Sequence, residues 1–213
     1  MALTPTPHPY RVTVEEYLAF ERASDERHEY LDGVIYAMAG ESPDHGRICM
    51  NLAVTLVPQL RGSDCEAFSK DMKVRCGPYR AHTREGLYAY LDLLVVCGAM
   101  QFHSQAQDVL INPTVIVEVL SPSTEAFDRG EKFRRYRAWL PTLTDYVLVA
   151  QDRPVLDHYH RADDALWMLR TVEGLEALLH LETIGCTVPL ADVYERIILP
   201  QGEEAPTSRA GEE

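Results

Sequence analysis

The sequence has no apolar run of bilayer length, no excess of basic residues, and no pair of cysteines at C-x-x-C spacing. Each absence removes a class of protein. A membrane-spanning helix needs about 20 consecutive apolar residues, so a membrane partner is not expected. The opening MALTPTPHPY lacks a basic-then-apolar signal pattern, which makes secretion unexpected. The five cysteines, Cys49, Cys65, Cys76, Cys97 and Cys186, are odd in number and well separated. That argues against a disulfide framework and a zinc knuckle, and for a reducing cytoplasm, with Cys97 read as a core residue. There is no phosphate loop, no G-x-G-x-x-G and no G-x-S-x-G. At a net charge of −13, any contact with nucleic acid has to use a local basic patch on an acidic body.

What is present describes a soluble α/β or α+β domain: 213 residues, 46% hydrophobic and 25% charged. Residues 1–200 read as one domain. Residues 201–213, QGEEAPTSRAGEE, read as a disordered acidic tail, polar and without periodicity. Thr13 and Glu16 form a capping box for a helix from Val14 to about Arg22. RHEYLDGVIYAMAG reads as a hairpin closed by Asp32-Gly33, and Ser42-Pro43 opens a helix with the stripe Ile48, Leu52, Leu56 and Leu60. Strands are expected around CEAFSKDMKVRC, in YAYLDLLVVCG and in TVIVEVL. After SPSTEAFDRGEKFRRYRAWL, a turn and helix, come the β-like runs DYVLVA, VLDHYHR and ALWMLR, then a helical turn in PLADVYERI.

Two acids break this pattern. In NPTVIVEVLSPST, Glu118 shares a strand face with Ile116 and Leu120, while Val115, Val117 and Val119 fill the other. Both faces therefore read as buried, and an ionised carboxylate there costs several kcal/mol unless it is paired or ligates a cation. Asp92 is likewise the single acid in YAYLDLLVVCG, in a secondary structure that disfavours Asp. Converging carboxylates suit a hard ion such as Mg²⁺. The basic run DRGEKFRRYRAW follows directly. Most of its arginines read as a solvated helix face, and Asp128 and Lys132 have i,i+4 spacing. Lys132 differs, because a short connection folds its helix back beside Glu118. His158 and His160 share a strand face, but no third metal ligand is evident near them in the sequence.

YLDLLVV, VIVEVLSPST, DRGEKFRRYR and DYVLVA together resemble the Uma-type restriction endonuclease family of the PD-(D/E)xK nuclease superfamily. HEYLDGVIYAMAGESPDHGR and DMKV extend the resemblance to residues 12–199. It implies a restriction-endonuclease-like mixed β-sheet flanked by helices, with additional antiparallel strands. It also implies a metal-dependent endonuclease acting on DNA with Mg²⁺ or Mn²⁺, and a homodimer. By position, Asp92 and Glu118 match the metal-binding acids, with the Val119 carbonyl beside them, and Lys132 matches a lysine moved onto the following helix. Glu29 and Asp71 match further acidic positions often counted with the site, and His45 matches a common histidine at the second helix's N-terminus. Two residues depart from the superfamily: Leu91 stands where Pro precedes the first Asp, and Leu120 stands at the E-x-K lysine. These departures and the acidity motivate an alternative, a catalytically weak nuclease-like fold kept as a binding or oligomeric module. Hydrolysis of another phosphate ester is a third option.

Overall fold

The computed structural model describes residues 4–5, 11–38, 40–78, 80 and 82–199, so the tail expected at 201–213 lies outside the described residues. Strand β1 (Thr4–Pro5) precedes helix α1 (Val14–Ala23), whose start carries the Thr13–Glu16 capping box in both directions. The hairpin follows as β2 (His28–Leu31) and β3 (Val34–Ala37). Asp32 (φ 45°) and Gly33 (φ 91°) both have positive φ, as a type I′ turn requires. Gly33 is needed twice over, since a Cβ there would meet Arg11 Cβ at 2.8 Å. Helix α2 (Pro43–Gln59) buries Ile48, Leu52 and Leu56 along the expected stripe and runs through Pro58 to a C-cap at Leu60.

Next come β4 (Cys65–Ser69), β5 (Lys73–Cys76), β6 (Leu87–Tyr90), β7 (Leu93–Cys97), β8 (Val109–Leu110) and β9 (Val115–Val119). A helical crossover leads onward: α3 (Glu125–Phe127), a π turn (Asp128–Lys132) and α4 (Phe133–Trp139). The chain then runs through β10 (Asp145–Val149), β11 (Val155–Arg161), β12 (Trp167–Glu173), the hairpin β13 (Leu178–Leu181) and β14 (Cys186–Pro189), and α5 (Leu190–Val193). The β13–β14 hairpin is not legible in its sequence, because β13 is LLHL and carries no β-branched residue.

The architecture is α+β with two mixed six-stranded sheets, ordered β1-β3-β2-β6-β5-β8 and β12-β11-β10-β9-β7-β4, beside the β13–β14 pair. YAYLDLLVVCG is therefore two strands and not one. Its first half belongs to the first sheet and its second half to the other, with Leu91-Asp92 as the break between them. In the second sheet β9 and β10 run parallel, joined by the crossover, while β7 lies antiparallel to β9. Every residue of β9 is buried. Val115, Val117 and Val119 pack with α2, β14 and α5 on one side, and Ile116 and Leu120 pack with Tyr136 and Tyr146 on the other.

One expectation is corrected here. Cys97 is not an unpaired core thiol but forms a disulfide with Cys65. The two residues are register partners on β4 and β7, with Cα atoms 3.9 Å apart, a proximity set by strand pairing across 32 residues of sequence. Cysteine usage therefore no longer argues for a reducing compartment.

The Asp32 carboxylate joins the first hairpin to α4, accepting from the Gly86 N–H at 3.0 Å and pairing with Arg135. Burial pushes its carboxyl up, but Arg135 and the Gly86 N–H outweigh that and hold it below its ordinary 3.8. A depressed carboxyl stabilises the fold above its unfolded-state value and loses that contribution as pH falls. Asp32→Asn keeps a side chain that tolerates positive φ and removes only the charge. With the carboxylate partly exposed, a loss of about 1 kcal/mol at neutral pH is expected, shrinking below about pH 4. Urea unfolding at pH 7 and pH 3 checks this; a deficit equal at both would assign it to the turn.

Candidate active site

Three structural facts converge at the C-terminal ends of β9 and β10. The first is the break at Asp92, where the chain passes from one sheet to the other and the side chain is freed from ladder geometry. Its Oδ2 accepts the Val119 N–H at 2.8 Å, and Oδ1 lies 2.7 Å from His45 Nε2. Burial raises the Asp92 carboxyl, but the hydrogen bonds from His45 and Val119 outweigh it and hold it below its ordinary value.

The second is the first turn of α2. Ser42 caps it, its Oγ accepting the His45 N–H at 3.1 Å and donating to Gln151 Oε1 at 2.9 Å. Gln151 Nε2 in turn donates to the Leu120 carbonyl at 2.5 Å and lies 3.4 Å from His45 Nδ1. Nε2 thus faces the Asp92 carboxylate and Nδ1 faces the Gln151 amide, which fixes the ring's orientation. Gln151 thus locks the end of β9 to α2, a role that a glutamine just beyond DYVLVA did not announce.

The third is the π turn. Widened turns of this kind recur at functional positions, and this one carries both Asp128 and Lys132 inward. Lys132 Nζ donates to Glu118 Oε1 at 3.0 Å and lies 3.1 Å from Asp128 Oδ1. The Tyr136 hydroxyl, one turn on, also donates to Glu118 Oε1 at 3.3 Å. From β2, Glu29 Oε1 accepts the Tyr90 N–H at 3.1 Å, next to the Asp92 break.

The result is a cleft of about 820 Å³ lined by Glu29, His45, Asp92, Glu118, Asp128 and Lys132, among others. Val119 lines it too, whereas Asp71 does not: its side chain is 75% exposed and pairs with Arg27 at the rim. Asp128, read from the sequence only as a helix-face partner for Lys132, is 3% exposed and belongs to the cluster. Its i,i+4 spacing to the lysine was the one signal available.

Four carboxylates thus face one buried ammonium, and the electrostatics follow from that imbalance. Burial raises Glu118, with Lys132 opposing and Asp128 and Asp92 adding to the rise. Burial likewise raises Glu29. For Lys132, burial works to lower the ammonium, but Asp128, Glu118 and Glu29 outweigh it and hold it well above its ordinary value. Burial thus raises Glu118, and the surrounding acids raise Lys132. The donor set consists of hard oxygens, and the surplus charge is what a divalent cation neutralises, so these residues suit such an ion. Glu41, His45 and Cys49 also lie close enough to share an ion. His45 is already turned to Asp92, however, and burial raises the Cys49 thiol away from the thiolate a metal takes.

A mixed α+β fold of this layout, with acids at adjoining strand ends below a helical crossover, is restriction-endonuclease-like. The chain belongs to the Uma2 family, described as "Putative restriction endonuclease", whose profile covers residues 14–191. It is similar to two Synechocystis sp. proteins. It is 37% identical to "Uncharacterized protein slr1290" over 86% of this chain and 92% of that one. It is 32% identical to "Uncharacterized protein sll1609" over 78% of this chain and 90% of that one. Its fold is shared with the crystal structure titled "a putative nuclease belonging to DUF820" from Anabaena variabilis. The TM-score is 0.68 at 13% identity, covering 88% of this chain and 99% of the other. Family and fold together support a nuclease-like, hydrolase-type enzyme. Among the described residues, no helix is long and apolar enough to cross a membrane.

Proposed function

We propose that the protein is a metal-dependent endonuclease that hydrolyses phosphodiester bonds of DNA. The observation that carries this reading is the cluster of four carboxylates closed by a single ammonium, with Lys132 Nζ 3.0 Å from Glu118 Oε1. Leu120 leaves the in-strand lysine position apolar, and the π turn supplies a buried ammonium to the same carboxylate from the helix instead.

Asp92, Glu118 and the Val119 carbonyl would hold one Mg²⁺ or Mn²⁺, with Glu29 near enough to take part through water. Bound there, such an ion polarises a phosphoryl oxygen and lowers the pKa of a coordinated water. The rest falls to the protein's own groups. His45 and the Val119 N–H fix the Asp92 carboxylate and keep it ionised. Lys132, held protonated, orients the attacking water or offsets the charge that develops on phosphorus oxygens. Tyr136 restrains Glu118 from below. Arg27 and Lys70 line the cleft, paired with Asp71 and Glu41, and are the local cations a phosphate backbone can recruit on an acidic body.

Incubation of the full chain with Mn²⁺ or Mg²⁺ and duplex DNA should give cuts. Both Asp92→Ala and Glu118→Ala should lose at least about 10³-fold of that activity, the several kcal/mol a bound ion contributes. One site per chain cuts one strand, so the active species should sediment at twice the chain mass, as a two-fold pair. Equal activity in both alanine variants would refute the assignment. DNA retained without cleavage under every metal condition would favour a binding module.

A further inference from the structure

We propose that Asp145, His158 and His160 form a second metal site, taking one Zn²⁺ through a carboxylate oxygen and two imidazole nitrogens. The sequence shows the two histidines on one strand face but no third ligand. Strand pairing supplies it. In the antiparallel β10–β11 pair Asp145 is the register partner of His160, and His158 is two residues along the same face. His158 Nε2 lies 2.7 Å and His160 Nδ1 2.9 Å from the same oxygen, Asp145 Oδ1. The ligand atoms of all three residues fall within 4.8 Å of one another. Ligands in a tetrahedral zinc shell stand about 3.3 Å apart. Seating the ion therefore asks the rings to withdraw from the carboxylate by well under 1 Å, a rotamer adjustment.

Burial and chemistry point the same way. Asp145 is fully buried, at 0% exposure, and a carboxylate there needs a cation or several donors. Thr144 Oγ1 donates to its other oxygen, Oδ2, at 2.8 Å, and Thr183 also hydrogen-bonds the carboxylate, while both histidines meet at Oδ1. Two imidazoles and one carboxylate make a borderline-soft donor set suited to Zn²⁺, unlike the all-oxygen set of the cleft. The His160 side chain is 33% exposed, so one side of the cluster opens to solvent for entry and for a water as fourth ligand.

The site is separate from the nuclease cleft. Asp145 starts β10, level with Val115, whereas Glu118 is level with Leu148 towards the other end of the strand pair. The two sites also occupy opposite faces. Asp145 shares its face with Val147 and Val149, which pack towards α2 and β14, while Glu118 shares its face with Ile116, in the cluster around Tyr136. No side chain serves both.

The test uses the full chain carrying Asp92→Asn and Glu118→Gln, which removes the acidic cleft as a competitor. After chelator treatment, calorimetric titration with zinc chloride should show one equivalent bound, and Zn²⁺ but not Mg²⁺ should raise the unfolding midpoint by several degrees. Adding His160→Asn, which keeps a hydrogen-bond donor for Asp145 at a partly exposed position, should weaken zinc binding about 100-fold. Absence of zinc binding or of a midpoint shift in the cleft-ablated chain overturns the proposal, and this needs no histidine substitution. Zinc affinity unchanged by His160→Asn overturns it too, because the ion then sits elsewhere on the chain.

Discussion

Replacing Lys132 with methionine is expected to lower DNA cleavage by about 10²–10³-fold and to destabilise the fold by about 3–5 kcal/mol. Methionine preserves most of the aliphatic stem, so the loss falls on the ammonium and not on packing. Without that charge, Glu118, Asp128 and Glu29 face one another across a buried cluster with no counter-ion. Part of the cost is then relieved by proton uptake on the acids. A carboxyl raised by burial contributes least to stability at high pH, so the Lys132→Met deficit should widen as pH rises and narrow as it falls. A companion change separates structure from chemistry. Asp128→Asn removes one of the stranded acids while leaving a polar side chain on the π turn. In the Lys132→Met background it should recover about 1–2 kcal/mol of stability, measured by urea unfolding, and none of the cleavage. Recovery of cleavage together with stability would demote Lys132 to a positioning residue for the π turn.

How much of this was legible in the sequence depends on whether the signal was local. Glu118 was conspicuous because a period-two pattern with both faces apolar has no place for an acid, and one strand is enough to see that. The Asp32-Gly33 turn and the Thr13 cap were legible for the same reason, being decided within four residues. Asp92 was visible as an anomaly but not as a break. YAYLDLLVVCG contains no Gly or Pro inside the run, and only the presence of two sheets makes the chain change partners at Leu91-Asp92. The π turn was equally hidden, since DRGEKFRRYR reads as an ordinary helix from composition. Register between paired strands was the largest gap. It brings Cys65 against Cys97 and Asp145 against His160, and nothing within a strand specifies which residue of another strand it will face. Leu120 is instructive in the opposite sense. The sequence shows that the strand lysine is missing, and the crossover helix supplies an ammonium to the same carboxylate from another element.

Glu118→Gln is expected to abolish metal-dependent cleavage while raising the unfolding midpoint by about 2–4 °C, the equivalent of roughly 1 kcal/mol in a chain of this size. The amide oxygen can still accept from Lys132 and Tyr136, which now reach Glu118 Oε1 at 3.0 and 3.3 Å. What disappears is one negative charge from a cluster holding four carboxylates around one ammonium, where burial already raises Glu118. Removing a charge from an over-acidic buried site relieves repulsion and desolvation together. Stability gained as activity is lost is the mark of a group retained for function at the expense of the fold. An ordinary structural ion pair behaves in the opposite way, because neutralising one partner strands the other and costs about 3–5 kcal/mol. Thermal unfolding of Glu118→Gln in the absence of divalent ions therefore decides between the two roles without any nuclease assay. A drop of several degrees would make Glu118 the buried partner of Lys132 and nothing more. A rise, joined to loss of Mn²⁺ binding by calorimetry, would make it a ligand whose charge the fold tolerates only because an ion can occupy the site.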